Sequence, residues 1–588
     1  MILIYNIFMI IKYFKRFFYF FKDYRKAFIK YSVLSVIVAI LELFGIALTY
    51  PFIFKLLSKS NVNYIVTYGI GIAVVVLFLL KNLFMIFFTY VQGKFTNRFE
   101  IAIKKRLMNF FLNSEYQKTY KISLAEKNKI FGLLLSNVMN NFILRMLNLN
   151  INILIFFFII VLIAVKFPLA TMATIICAVL LLGLQNGIYK PLLTKLSKQV
   201  SKSGLLNNQG FNEAILNIKS IKISGNEKYF YNNFSKYLIQ HYENLRKMNF
   251  LTAIPPFIVE PFAILLLFVL LFVISCQNYA TPEKLVASFA LVATAIFRLT
   301  PTIARIQVNL NGINSAIPMV SEFIDFYEKY NIRNIEELNS TKYIKFNDYM
   351  QLKNINFGYE QDKEVLKNIN LTIRKGEFIG IAGLSGVGKT TLVDIIAGLY
   401  KPSSGEILID DKVINGRLKI GYIPQEFCLI SGNIRENVAF GSDEIDDERV
   451  IEALKKAQLY DFVKNNYKNG IYENPFTDSI GLSLGQKQRM AIARALYINP
   501  DILIFDEATS SLDLKTEDEI CRVLTELKGQ KTIIVIAHRL STIKSADRIV
   551  FMENGTISNA LPFEQLITIS SQFNELVKIS SVAHNKED

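Results

Sequence analysis

Gly383-Leu384-Ser385-Gly386-Val387-Gly388-Lys389-Thr390 fits the pattern G-x-x-x-x-G-K-[ST] without exception. It follows the apolar run Phe378 to Ala382 and opens an apparent helix from Thr391 to Gly398, the strand–loop–helix context that gives the pattern its meaning. The glycines let backbone N–H groups close around phosphate oxygens, and the N-terminus of the following helix favours the same negative charge. Lys389 is placed to neutralise the outer phosphates of a nucleotide. The Thr390 hydroxyl is placed to ligate Mg2+, with Thr391 beside it among the residues expected to bind the nucleotide.

A second element is Ile502-Leu503-Ile504-Phe505-Asp506-Glu507, a strand-like run ending in two carboxylates, of which Asp506 lies 117 residues after Lys389. The first acid is suited to holding a metal, the second to polarising an attacking water. From residue 350 onward such runs alternate with helical segments, so the sequence predicts an α/β domain with a mainly parallel sheet.

Upstream the chain has a different character. Of the 588 residues 52% are hydrophobic, and mean hydropathy is +0.31, both high for a protein that avoids membranes. Six apolar stretches fall near 32–55, 64–91, 149–166, 168–188, 254–276 and 284–305. Each approaches or exceeds the ~20 residues needed to cross ~30 Å of hydrocarbon. The net charge of +17 is unevenly spread: residues 1–340 hold 36 Lys and Arg against 15 Asp and Glu, residues 341–588 hold 30 against 34. Gaps 56–63, 166–167 and 277–284 contain three Lys, whereas 1–30, 92–148 and 189–250 contain 27 Lys and Arg. Positive charge marks the cytoplasmic side, so the N-terminus and the C-terminal domain are expected in the cytoplasm, with three short external hairpins in a plasma (inner) membrane. This distribution explains the basic excess without nucleic acid, which is not expected as a partner.

The expected organisation is therefore multidomain. Residues 1–30 form an amphipathic interfacial helix, and 31–330 an all-α transmembrane domain of six spans with long cytoplasmic extensions. Residues 331–345 form a linker, and 346–588 an α/β nucleotide-binding domain. Within the second extension, Glu213 to Ile223 before Ser224-Gly225-Asn226 reads as a short docking helix. The four cysteines, Cys177, Cys276, Cys428 and Cys521, have no metal or redox spacing.

Between the two phosphate-site motifs lies Leu482-Ser483-Leu484-Gly485-Gln486. Together the three motifs and the six-span region resemble the exporters of the ATP-binding cassette (ABC) family, over the whole chain. The resemblance implies ATP and Mg2+ as cofactors and ATP hydrolysis coupled to transmembrane transport. It implies that Tyr359 stacks on adenine, that Gln425 senses Mg2+ and water, and that His538 contacts the γ-phosphate. It places Asp513 at a dimer interface, and Ser483, Gly485 and Gln486 against the nucleotide of a second subunit. One nucleotide-binding domain per chain then implies a homodimer, with a heterodimer as the alternative. Two departures stand out: Leu484 replaces a glycine of the family's motif, and Phe476-Thr477-Asp478-Ser479 replaces a Gly-Glu-Arg-Gly-like segment.

For the cargo, Lys81 and Arg298 lie within spans, and Arg305, seven residues after Arg298, shares its helix face. An intramembrane cation is a candidate for anion recognition, so Lys81 and Arg298 are expected to line a substrate cavity. Glu42 to Ile53, Ile254 to Glu260 and Arg298 to Arg305 resemble flippases of lipid-linked oligosaccharides, although 56–63 leaves no room for those proteins' external helix and Pro256 aligns with a basic residue. The expected activity is export or flipping of an amphipathic, lipid-linked or other lipid substrate. Peptide or drug export is the alternative, and a non-transport ATPase is disfavoured by the spans.

Overall fold

The computed structural model describes residues 12–332 and 343–584, except 14, 18–21, 58–63, 167–171, 173–186, 188–189, 255–256, 259, 263, 266–267, 269–271, 273–281, 361–362, 415, 426, 476–481, 508–513 and 537–539. It contains two compact units. One comprises residues 1–114 and 121–337, the other 115–120 and 338–588.

The first unit is helical. Its main elements are α1 (Arg25–Ala47), α2 (Tyr64–Asn113), α3 (Leu144–Lys166), α4 (Lys190–Leu216), α5 (Ile218–Ser224), α6 (Glu227–Ala253) and α7 (Pro282–Lys329). Among the described residues four helices are long and apolar enough to cross a membrane: Arg25–Leu56, Tyr68–Asn113, Glu126–Val165 and Val286–Lys329. They cover the first, second, third and sixth expected spans. The fourth and the C-terminal part of the fifth fall largely outside the described residues. At about 1.5 Å per residue the 50 residues of α2 run roughly 75 Å, more than twice the hydrocarbon thickness. The charged second half of α2 is thus a helical prolongation of the span.

The expected docking helix has different bounds. The helical run of α4 ends at Leu216, Asn217 caps a new short helix, and α5 closes at Gly225 in the left-handed conformation. The break comes at Asn217, inside what reads as one helix from Glu213. Asn217 is a poor helix former whose side chain donates to the Glu213 carbonyl at 2.9 Å, competing with the backbone ladder. Near the N-terminus, Phe17 is fully buried, with its ring centroid 5.8 Å from that of Phe99, and Arg16 pairs with Asp325 (2.9 Å) and Glu328 on α7. This part of the expected interfacial segment is docked on the bundle.

The second unit holds two sheets. An antiparallel sheet has the order β2-β1-β4-β5, from β1 (Tyr349–Glu360), β2 (Lys363–Arg374), β4 (Ser404–Ile409) and β5 (Lys412–Val413). The larger sheet has the order β10-β9-β3-β8-β7-β6, from β3 (Phe378–Gly383), β6 (Ile420–Ile423), β7 (Ile502–Asp506), β8 (Thr532–Ile536), β9 (Arg548–Glu553) and β10 (Thr556–Leu561). All its pairings are parallel except β9 with β10. Its central strands read as unbroken apolar runs because both faces are covered. Phe378, Leu503, Phe505 and Ile533 enter one core, while Ile379, Ile381, Ile502, Ile504 and Ile534 enter the other. The parallel arrangement brings the C-terminal ends of β3, β6, β7 and β8 to one edge, where open α/β sheets bind ligands.

Candidate functional site

That edge carries the phosphate loop. β3 ends at Gly383, and α8 (Lys389–Ile396) begins at Lys389. A Cβ on Gly383 would lie 2.5 Å from the Met552 carbonyl oxygen, so only glycine lets the loop leave the sheet here. Gly386, at φ +82, has nothing within 4 Å of a notional Cβ, leaving an open concavity on the loop. The buried Lys389 ammonium donates to the carbonyls of Gly383 and Leu384, each at 2.9 Å. Burial pushes this lysine below its usual range, and the carboxylates of Glu507 and Asp506 oppose that shift. Leu384, Ser385, Gly386 and Thr390 are exposed, Val387 is half-buried, and Gly388 is buried with φ +101.

Asp506 is the last residue of β7 and is buried. Burial raises its carboxyl pKa, opposed by a 2.8 Å hydrogen bond donated by the Tyr422 hydroxyl of β6 and by the charge of Lys389. Glu507 follows at φ +52, uncommon for a residue with a Cβ, with its backbone N–H donating to the Ile536 carbonyl at 3.2 Å. Backbone in this sparsely populated region is typical of functional sites, since the surrounding structure must hold it there. Gln425 is exposed two residues beyond β6. Asp394, inside α8, is raised to about 6 by burial, with the Asp506 charge adding to it.

Mg2+ fits this donor set. A buried carboxylate crowded by a second acid, beside an exposed threonine hydroxyl and an open phosphate cradle, is stabilised by a hard divalent cation. Among the described residues no three His, Cys, Asp or Glu form a metal cage, so the cation would lean on Thr390, Asp506, Gln425 and phosphate oxygens. Bound there, it would supply positive charge to the phosphates.

Tyr359 lies at the end of β1 with its hydroxyl 2.9 Å from the Thr391 hydroxyl. Its ring meets Phe357 and Tyr400 edge-on at 5.1 and 5.5 Å. Tyr116, from the short helix Tyr116–Tyr120 that belongs to this unit, stands 5.6 Å from Tyr400. Sequence reasoning found Tyr359 but missed Tyr116, Tyr400 and Tyr422. Tyr359 is marked by the family resemblance, whereas the other three lie in none of the motifs that carry it.

Ser483 caps α9 (Leu484–Tyr497) through a reciprocal capping box. Its hydroxyl accepts from the Gln486 N–H at 3.3 Å, and the Gln486 side chain accepts from the Ser483 N–H at 2.8 Å. Gly485 is buried and Leu484 is exposed. His538, Asp513 and the segment Phe476 to Ser479 lie outside the described residues.

In the helical unit, Lys81 and Arg298 have a partner that the sequence reading did not use. The Glu42 carboxylate on α1 forms ion pairs with Lys81 Nζ of α2 at 2.8 Å and with Arg298 Nε of α7 at 3.2 Å. Both cations lie over the Phe78 ring, at 5.6 and 5.3 Å from its centroid. The Lys81 and Glu42 side chains are 8% and 9% exposed, against 38% for Arg298. Glu42 is an acid inside a span facing two candidate cations, and that complementarity is the signal that could have found it.

A family model described as ABC transporter matches residues 366–510, and one described as ABC transporter transmembrane region matches residues 28–298. An "ATP-dependent lipid A-core flippase" of Saccharophagus degradans is 34% identical over 370 residues, covering 62% of this chain and 62% of that protein. The "Alpha-hemolysin translocation ATP-binding protein HlyB" of Escherichia coli O157:H7 is 43% identical over 226 residues, covering 37% of this chain and 32% of that one. The chain thus spans about a third to three fifths of the length of these curated relatives. The solved structure of a bacterial Atm1-family ABC exporter with ATP bound has the same fold, with a TM-score of 0.78 over 94% of this chain and 98% of that one at 21% identity. With membrane-region and ATP-binding models matched in tandem beside an intact phosphate loop, this chain belongs to the ABC transporters.

Proposed function

We propose that this chain is an ATP-driven exporter or flippase of an amphipathic substrate, working as a homodimer in the plasma membrane with its nucleotide unit in the cytoplasm. The observation that carries the reading is the meeting of the phosphate loop with Asp506 and Glu507 at one sheet edge, in a chain that also carries membrane-length helices. Tyr359 stacks on the adenine ring, and residues 383–391 hold the phosphates. Thr390, Gln425 and Asp506 face Mg2+, and Glu507 polarises the attacking water with His538 near the γ-phosphate. Ser483, Gly485, Gln486 and Asp513 act on the nucleotide of the second copy. The two-helix arm of α4 and α6 supports this assembly: α6 buries none of its side chains in the chain itself, and Leu216 and Ile223 beside the arm's tip are 84% and 78% exposed. The names of the relatives, a lipid flippase and a toxin translocator, support a cargo with apolar and polar parts.

Purified protein in proteoliposomes, given ATP, tests this. Movement of a fluorescent lipid or lipid-linked oligosaccharide, lost in Glu507→Gln, is the expected result. Movement of peptides or drugs alone selects the alternative cargo. Hydrolysis without movement of any amphiphile would overturn the transport reading.

A further inference from the structure

We infer, from the reading that Ser483 serves the second copy's nucleotide and His538 the chain's own, that the helix after Asp513 positions both. One acid on that helix sets the helix of Ser483 through Arg489, and a second sets the His538 segment through Thr542. The helix, α10 (Leu514–Leu527), starts directly after Asp513. Its Ile520, Val523, Leu524 and Leu527 share a core with Met490 of α9 and with Leu540 and Ile543 of the short turn Leu540–Ile543. Apolar burial is non-directional, so that core holds the three elements together without fixing their rotation. Hydrogen bonds, with preferred distances and angles, can fix it.

Glu517 and Glu519 are two residues apart, about 200° around the helix, and so face different neighbours. Glu519 accepts from Arg489 Nη1 at 2.7 Å. The two side chains are only 26% and 18% exposed, where salt screens an ion pair less than at the open surface. The same Nη1 donates to the Gln458 carbonyl at 3.3 Å, and Glu519 is the one carboxylate within 4 Å of Arg489 among the described residues. Arg489 lies on the helix that Ser483 caps, so this pair ties the start of α9 to α10.

Glu517 is buried, and the buried Thr542 hydroxyl donates to its carboxylate at 3.4 Å. Thr542 lies four residues after His538. Cys521, one turn along α10, meets the same hydroxyl. Burial pushes its thiol up to about 11, the charges of Glu517 and Asp518 add to the shift, and the Thr542 contact opposes it. A carboxylate this deep is costly unless hydrogen-bonded, and an apolar residue of its size would often serve stability as well. The acid is therefore kept for where it holds its neighbour.

Steady-state ATPase kinetics of the purified protein, with melting temperatures taken alongside, separate positioning from folding. Arg489→Glu and Glu519→Arg should each lower kcat about 10-fold or more with KM for ATP within about 2-fold, since the phosphate loop and Tyr359 are untouched. The charge swap Arg489→Glu/Glu519→Arg should recover kcat to within about 3-fold of the unaltered protein. Glu517→Gln and Thr542→Val should lower kcat in the same way, whereas Thr542→Ser, which keeps the hydroxyl, should not. Mixed dimers then tell the two contacts apart. Arg489→Glu subunits should regain turnover when mixed with Lys389→Ala subunits, because one composite site again joins an intact phosphate loop to an intact Ser483 half. Glu517→Gln subunits should fail to regain it with Lys389→Ala subunits but succeed with Ser483→Ala subunits, because the defect lies in the chain that holds the nucleotide. A charge swap no better than its single variants, loss of turnover only in proportion to loss of folded protein, or the same mixing pattern for Arg489→Glu and Glu517→Gln would overturn the inference. Failure of Lys389→Ala and Ser483→Ala subunits to rescue each other would instead sink the composite-site reading, and the charge swap would still decide whether Arg489 and Glu519 set α9.

Discussion

The nucleotide unit and the helical unit both bury charge, but they assemble it from different distances along the chain. Lys389 sits within a single eight-residue loop, and Asp506 and Glu507 are adjacent at one strand end, so each motif carries its own local geometry. Glu42, Lys81 and Arg298 come from three helices and meet only when the bundle packs. In the nucleotide unit we read the charge as kept for a ligand, one lysine for phosphate and two carboxylates for a cation. In the helical unit, one carboxylate is matched to two cations of the chain itself. Charge kept for a ligand should affect turnover when removed. Charge kept for the fold should affect stability.

The largest expected effect tests the first half of that statement. Glu507→Gln should lower steady-state phosphate release by roughly 100-fold or more, the scale of a lost general base, while nucleotide binding is retained. Lys389→Ala should instead weaken nucleotide binding itself. Turnover by Glu507→Gln close to that of the unaltered protein would show that the strained residue after β7 has no chemical role.

The second half is tested at Glu42. Glu42→Gln leaves Lys81 buried without its carboxylate and Arg298 without its partner. Losing one member of a buried pair costs about 3–5 kcal/mol, so the unfolding temperature should fall clearly. Nucleotide binding, measured on the folded fraction, should stay within 2-fold. An unchanged unfolding temperature would mean that the cluster does not hold α1, α2 and α7 together, and the cations would again be available for cargo.

The same contrast explains what the sequence makes legible. Phosphate-site chemistry needs residues at fixed short spacings, so Gly383 to Thr390, Asp506 and Glu507 are readable directly, while Ser483 is singled out only through the family resemblance and its capping role only by the structure. The near-continuous apolar strands identify a sheet covered on both faces. Helix phase can reveal that Lys81 and Arg298 are costly, but not what pairs with them, because a helix pattern says nothing about the rotation of a neighbour. The Tyr422 hydroxyl on Asp506 is hidden for a related reason: it depends on β6 lying beside β7, a sheet order no local pattern contains. The start of the short helix α5 at Ile218 rather than Glu213 reflects a single side chain, Asn217, competing with the backbone, a smaller signal than the Ser-Gly-Asn turn after it.

A mid-sized effect follows from that tyrosine. The Tyr422 hydroxyl favours the ionised form of Asp506, opposing burial. Tyr422→Phe removes the bond, so the Asp506 carboxyl should rise further and hold its proton to higher pH. The acid limb of the ATPase pH profile should therefore move upward, with a several-fold loss near pH 6 that shrinks toward pH 8. A uniform loss across pH would assign Tyr422 to packing alone.

The smallest effect is expected where the sequence departs most visibly from its family. Leu484 stands where the related motif has glycine, which suggests at first sight a damaged site. Its position argues otherwise. Leu484 is the first residue of α9, its side chain is 48% exposed, and the reciprocal hydrogen bonds that start the helix run between Ser483 and Gln486 on either side of it. A residue at the first helical position has ordinary helical backbone angles, so no glycine is required there on conformational grounds. Leucine is also the better helix former, by up to about 1 kcal/mol in a helix interior and less at an end. Leu484→Gly should thus leave the capping box intact, change stability only slightly and alter ATP turnover less than about 3-fold. Ser483→Ala, one position earlier, removes the cap and the hydroxyl together and should cost far more turnover. If Leu484→Gly changed turnover as much as Ser483→Ala, the side chain at 484 would be set against the second subunit's nucleotide, and this exposed leucine would itself set the rate of the composite site.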